Sequence, residues 1–167
     1  KVTQLPEAGG LGFDATWYAA FYHELIGEAD AGGGHARLLR EAGFGDERPL
    51  NLSGFAGALE ASRLAKIVYH ESHDEAGNAS GSLRTLPCAV NDAVLAGPTR
   101  AWAEARTRTV VGLALLSPAT PMFFMGEEVG AAQRFRYNDF LEHREDILGL
   151  RHGAGASLFR FYQDLIR

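Results

Sequence analysis

Cysteine is almost absent from this 167-residue chain, which has only Cys88. A single thiol excludes an internal disulfide framework and a multi-cysteine zinc site, and it suits a reducing compartment. No block of lysine and arginine appears, and the formal net charge is −5 with a pI near 5.7. A surface built to neutralise phosphates is therefore not expected, and nucleic acid is not an expected partner. No apolar run approaches the roughly 18 residues that a membrane span needs, and no secretory leader is evident, so a membrane is not an expected partner either and the expected location is cytoplasmic. The first residue is Lys1 rather than Met, from which we expect that sequence precedes it.

What is present is the material of a core. Apolar residues make up 46% of the chain, charged residues 22% and aromatic residues 10%, which excludes a disordered segment. One order recurs three times: a short apolar or glycine-bounded run, a polar cluster, then a stretch with helical spacing. That order predicts a parallel α/β arrangement. The first unit opens with GGLGFD at 9–14, read as a strand ending at Asp14. Asp14 or Thr16 is the expected cap of a helix that turns Trp17, Phe21 and Leu25 to one face. A second helical piece is expected from His35 to Glu41. Ser53 is the expected cap of a third, with Phe55 and Leu59 inward and Glu60 and Arg63 outward.

The second unit is a strand over Lys66 to Glu71, then a glycine-containing loop, GNASGSLR, then a helix begun by Pro98 and Thr99 and ended by Pro118. Its expected inner face is Trp102, Ala105, Thr109, Leu113 and Leu116, with Glu104 and Arg108 paired on another. The third unit is PMFFMGEEVG at 121–130, read as a strand that stops at Gly126 and delivers Glu127 and Glu128. A final helix turns Leu158, Phe161, Tyr162 and Leu165 inward. Ligands bind at the C-terminal strand ends both in closed βα barrels and in doubly wound sheets, and the pattern alone leaves both open. Three units fall well short of the roughly 250 residues of a complete eight-unit barrel.

The densest chemistry is YHESHDEAGN at 69–78, directly after the apolar Ile67-Val68. A carboxylate at a strand end that faces a pocket can hydrogen-bond, orient or electrostatically stabilise a substrate, and an adjacent imidazole can donate to a hydroxyl; His73 and Asp74 would suit a polyol. The plain alternative is that His70, Glu71, His73 and Asp74 solvate a strand end and cap the next segment. A metal site of the HD-phosphohydrolase type is a further alternative. It needs helical ligands, and the β-branched run before the pair and Gly77 after it do not favour a helix interior.

The run Tyr69-His70-Glu71-Ser72-His73-Asp74-Glu75 resembles the fourth conserved region of the α-amylase superfamily, glycoside hydrolase family 13, in the form found in α-glucan branching enzymes and their relatives. GGLGFDATW at 9–17 is similar to the family's sixth strand. TPMFFMGEEVG at 120–130 is similar to its eighth, with Gly126, Glu128 and Gly130 on a Gly-x-Glu-x-Gly pattern. The resemblance implies an α/β fold, the C-terminal portion of a (β/α)8 TIM barrel from about the sixth to the eighth unit, over residues 1–167. It implies a retaining enzyme acting on an α-1,4-glucan or related oligosaccharide, without cofactor or metal. In it Asp74 matches the transition-state-stabilising carboxylate and His73 a sugar-binding neighbour.

The family's nucleophile and general acid have no match in this chain, so turnover by these residues alone is not expected. The missing part of the barrel, or self-association, is expected to complete the fold. Further candidates are Arg84, Phe135 and Tyr137 as sugar contacts, Asp14 and Glu128 as structural groups near the site, and Trp102 as core. A non-catalytic glucan-binding module of the same fold is the alternative from another functional class.

Overall fold

The computed structural model describes residues 1–27, 52–79, 81–142 and 144–167. The helical piece expected over 35–41 lies outside them. Among the described residues a parallel sheet runs in the order β1 (Thr16–Trp17), β2 (Lys66–Val68), β3 (Thr120–Pro121). Thr16 is in register with Lys66, and Ile67 with Thr120. Parallel neighbours need crossovers, and helices supply them. Helices α1 (Ala19–Leu25) and α2 (Leu52–Ala61) lie between the first two strands in sequence; α3 (Thr85–Cys88) and α4 (Gly97–Leu115) lie between the second and third. After β3 come a 3-10 turn at Glu127–Val129, α5 (Ile147–His152) and α6 (Ala156–Ile166). The expected α/β class is what the chain adopts.

The sheet is shorter at both ends than the sequence implies. Residues 9–14 are not a strand. They fold back on the first residues of the chain, with Leu11 N donating to Lys1 O (3.0 Å) and Phe13 N to Val2 O (3.1 Å). The ladder begins at Thr16, whose N–H reaches Ala65 O at 3.0 Å. Trp17 therefore belongs to β1 rather than to the helix, and neither Asp14 nor Thr16 caps α1, which starts after Tyr18 without a side-chain cap. Ser53 lies inside α2 and is not its cap. The run expected as a strand to Gly126 pairs only through Pro121 and one further bond, Met122 N to Val68 O (2.8 Å).

Ile67 and Val68 suit the pleated centre of the sheet, and Val68 is fully buried. Around it pack Phe21, Leu25, Phe55, Tyr69, Leu86 and Val110. The rings of Phe21 and Phe55 sit 5.6 Å apart and hold α1 to α2. The lone thiol of Cys88 lies in this core. On the other side of α4, Val111 meets Leu158 and Tyr162 of α6, with Phe161 and Leu165 partly buried beside them, as the spacing predicts.

Helix α4 corrects the expected inner face. Its buried residues are Ala103, Thr107, Val110, Val111 and Ala114, whereas Trp102 is 62% exposed and Leu116 71% exposed. Small side chains let the helix approach neighbours on two sides, and the bulky Trp102 is left outside that contact. The predicted Glu104–Arg108 pair is present at 3.1 Å, and Arg100 joins it at 3.1 Å. Among the described residues no helix is long and apolar enough to cross a membrane.

Candidate functional site

All three strands run the same way, so their C-terminal ends share one edge of the sheet. At that edge β1 presents Trp17, the segment after β2 presents Tyr69 to Asp74, and the loop after β3 presents Tyr137. Asp74 follows a tight turn: Ser72 Oγ accepts from Asp74 N (3.2 Å) and donates to the Glu75 carboxylate. The Asp74 side chain is 55% exposed and that of His73 is 46% exposed. Tyr137 Oη donates to Asp74 Oδ1 at 2.6 Å, and His73 Nε2 stands 3.6 Å from Asp74 Oδ2. The His73 ring lies 5.5 Å from Trp17 edge-on and 6.0 Å from Tyr137. The structure thus brings Asp74, His73 and Tyr137 together. The hydrogen bond to Asp74 holds the Tyr137 proton, pushing its pKa up to about 12. Burial, then the charges of Glu75 and Asp74, push Tyr69 up to about 12 as well. Both phenols act as neutral hydrogen-bonding groups at physiological pH.

Beneath this rim lies a second, closed layer. His70, Glu71, Arg84, Thr85 and Glu127 are each 3% exposed or less. His70 Nδ1 lies 2.9 Å from Thr85 Oγ1, and His70 Nε2 lies 3.0 Å from Glu127 Oε1. Tyr162 Oη donates to that same Glu127 oxygen at 2.8 Å, tying α6 to the sheet. Arg84 Nε stands 3.3 Å from Glu71 Oε2, Arg84 Nη2 donates to Met125 O (2.9 Å), and its guanidinium lies over the Phe124 ring at 5.4 Å. Burial alone would lower the His70 pKa, but the charge and hydrogen bond of Glu127, with Glu71 adding, turn the net shift upward. Burial raises Glu71, opposed by Arg84. Burial also raises Tyr162, with Glu127 next in effect.

The other candidates lie around these two layers. Arg84 sits in the buried layer, committed to Glu71 and the Met125 carbonyl. Asp14 is exposed two residues ahead of β1, with no hydrogen bond or ion pair to the Asp74 cluster. Glu128 accepts from Gly126 N (2.7 Å), while its neighbour Glu127 makes the buried contacts to His70 and Tyr162. The Phe135 ring packs edge-on against Phe124 at 5.2 Å and Tyr137 at 6.0 Å. His73 and Asp74 follow a parallel strand rather than sit within a helix, contrary to what an HD-type metal site requires. Among the described residues no group of three or more His, Cys, Asp or Glu is placed to hold a metal ion.

Comparison with known proteins supports the motif reading. The chain is 28% identical, over 99% of its length, to a 1,4-alpha-glucan branching enzyme of Lactobacillus acidophilus. It is 26% identical over 92% of its length to a malto-oligosyltrehalose trehalohydrolase of Saccharolobus solfataricus, and 28% identical over 89% to one from Rhizobium sp.. All three are members of glycoside hydrolase family 13. The chain resembles the α-amylase superfamily along nearly its whole length. It spans 22–28% of the length of these superfamily relatives. No protein-family model matches it, and no solved structure matches it significantly.

The superfamily motif points to His73 and Asp74 but says nothing of Asn78, which sequence reasoning missed. Asn78 Nδ2 donates to His73 O (2.6 Å), and Asn78 Oδ1 accepts from Tyr137 N (2.9 Å). Its place in a Gly-Asn loop signals a turn and not this bridge.

Proposed function

We propose that this chain carries the sugar-binding, transition-state-stabilising part of a retaining α-glucan-acting site, with Asp74 as the carboxylate and His73 and Tyr137 as its partners. The observation that carries the reading is the position of Asp74: exposed at the C-terminal edge of a parallel sheet, with one oxygen oriented by a neutral phenol. The other oxygen faces His73 and the open side. A carboxylate so placed accepts hydroxyl hydrogen bonds and stabilises positive charge developing on a sugar ring. Trp17, 43% exposed at the next strand end, offers an aromatic face to the same space.

The relatives' names support an α-glucan as the substrate class, and branching or related transfer is the activity we assign to the full-length protein. The nucleophile and general acid of the double displacement would come from sequence outside these residues. The architecture then read is the sixth to eighth units of a (β/α)8 barrel. Exposed apolar side chains support it: Leu11, Phe13, Phe123 and Met125 are 45–67% exposed, a cost that further barrel units packed beside the sheet would remove.

The test is Asp74→Asn in the full-length protein, assayed on an α-1,4-glucan. Several kcal/mol of transition-state contacts correspond to a kcat lowered by about 100-fold or more. Undiminished turnover would refute the role.

A further inference from the structure

Tyr137 reaches Asp74 from a segment with no regular structure of its own. Residues 131–136 form neither helix nor strand, so their course is set by bonds to other parts of the chain. Glu145 accepts from the amides of Ala132 (2.8 Å) and Gln133 (2.8 Å), Arg134 Nη2 donates to Asp92 Oδ2 (3.2 Å), and Phe135 N donates to Ala76 O (2.9 Å). Gly77, at φ 143°, makes room for this approach: a Cβ there would stand 2.7 Å from Arg134 Cβ and 2.9 Å from Phe135 O. The next bond along the segment, at Tyr137 itself, comes from Asn78.

Asn78 is bonded to the main chain of all three residues of the exposed cluster. Its own N–H donates to Asp74 O (3.0 Å), its Nδ2 donates to His73 O (2.6 Å), and its Oδ1 accepts from Tyr137 N (2.9 Å). A carbonyl on one side and an N–H on the other settle which way the amide points. An ionised aspartate in its place would lack the donor, and an aliphatic side chain would lack both groups. The loop after β2 is thereby the template on which Tyr137 is placed, and the Tyr137 hydroxyl in turn holds Asp74 Oδ1 at 2.6 Å. With that oxygen engaged, Oδ2 is left toward His73 and the open side.

We infer that Asn78 is a positioning residue for the Asp74 carboxylate: it acts through Tyr137, fixing the phenol that orients Asp74, and not on the sugar. The inference rests on the function proposed above. A carboxylate's orientation counts most where charge develops, so release of this clamp falls on the chemical step more than on binding.

The experiment is a double-mutant cycle in the full-length protein, with kcat and KM measured on an α-1,4-glucan. Tyr137→Phe removes a hydrogen bond to a charged group and Asn78→Ala releases the same phenol; each is expected to lower kcat roughly tenfold and to move KM less than about twofold. Combined, they are expected to lower kcat less than about 30-fold, where independent sites would give roughly 100-fold. Asn78→Gln keeps the amide on a longer stem and is taken through the same cycle, with the same shortfall from additivity expected, so that the test stands if Asn78→Ala does not fold. Additive losses, an effect confined to KM, or turnover like the parent's in both Asn78 variants would overturn the inference, and an impaired Asp74→Asn would leave the site itself standing. Undiminished turnover by Asp74→Asn would instead overturn the site on which the inference rests.

Discussion

Two histidine–carboxylate pairs stand three positions apart in one short segment and live in opposite surroundings. His70-Glu71 is closed in, bonded to Thr85, Glu127 and Arg84, and holds β2, α3 and α6 together. The side chains of His73-Asp74 are about half exposed and meet the Tyr137 phenol, the Trp17 ring and an open edge. The same side-chain chemistry thus serves cohesion at one depth and recognition at the next. What separates them is the chain's exit from the sheet: backbone leaving Val68 runs first through the core and then over its rim. A buried charge pair is costly to break, and an exposed carboxylate is cheap to alter for stability yet expensive for function.

The largest effect expected from this contrast is on the buried side. Arg84→Met keeps much of the packing but strands the Glu71 carboxylate, and about 3–5 kcal/mol of unfolding free energy is expected to be lost in a denaturant titration. Adding Glu71→Gln should recover part of it; no recovery would show that Arg84 stabilises by packing on Phe124 and bonding Met125 instead.

A smaller effect separates charge from shape. His70→Gln removes a charge-assisted bond to Glu127, a loss of roughly 1.5–3 kcal/mol at pH 6. The folded-state pKa of His70 lies above its ordinary 6.5, so the folded state holds this proton more tightly than the unfolded chain. Its contribution is complete below that value and fades as pH rises through the folded pKa. The difference between parent and variant should therefore shrink toward alkaline pH. Glu71 is shifted in the same direction, so the parent's decline is reduced in the variant without vanishing. A difference independent of pH would mean that His70 is neutral in the folded protein.

The smallest effect tests the exposed pair. Asp74→Asn should change unfolding free energy by no more than about 0.5 kcal/mol, the range of surface substitutions. A loss above about 2 kcal/mol would place Asp74 with the structural layer and dissolve the contrast.

The sequence made some of this legible and hid the rest for physical reasons. The inward residues of α6 and the Glu104–Arg108 pair follow from periodicity, because each depends only on the helical repeat of its own element. Helix α4 is packed on two sides, so its burial follows the small Ala103 and Ala114 rather than the large Trp102. GGLGFD reads as a strand by composition, yet the amides of residues 9–13 are already taken by carbonyls of residues 1–6. The Gly-x-Glu-x-Gly pattern draws the eye to Glu128, but the turn begun at Gly126 carries Glu127 inward instead. His73 and Asp74 were found through a motif. Asn78 and Gly77, which hold two distant loops together, have meaning only once both loops are in place.

Cys88 gives the molecule a built-in reporter. Its sulfur is sealed in the core at 1% exposure beside the buried layer, and an alkylating reagent gains access only when that region opens. The labelling rate of one thiol then becomes a clock for how often the floor beneath Asp74 comes apart.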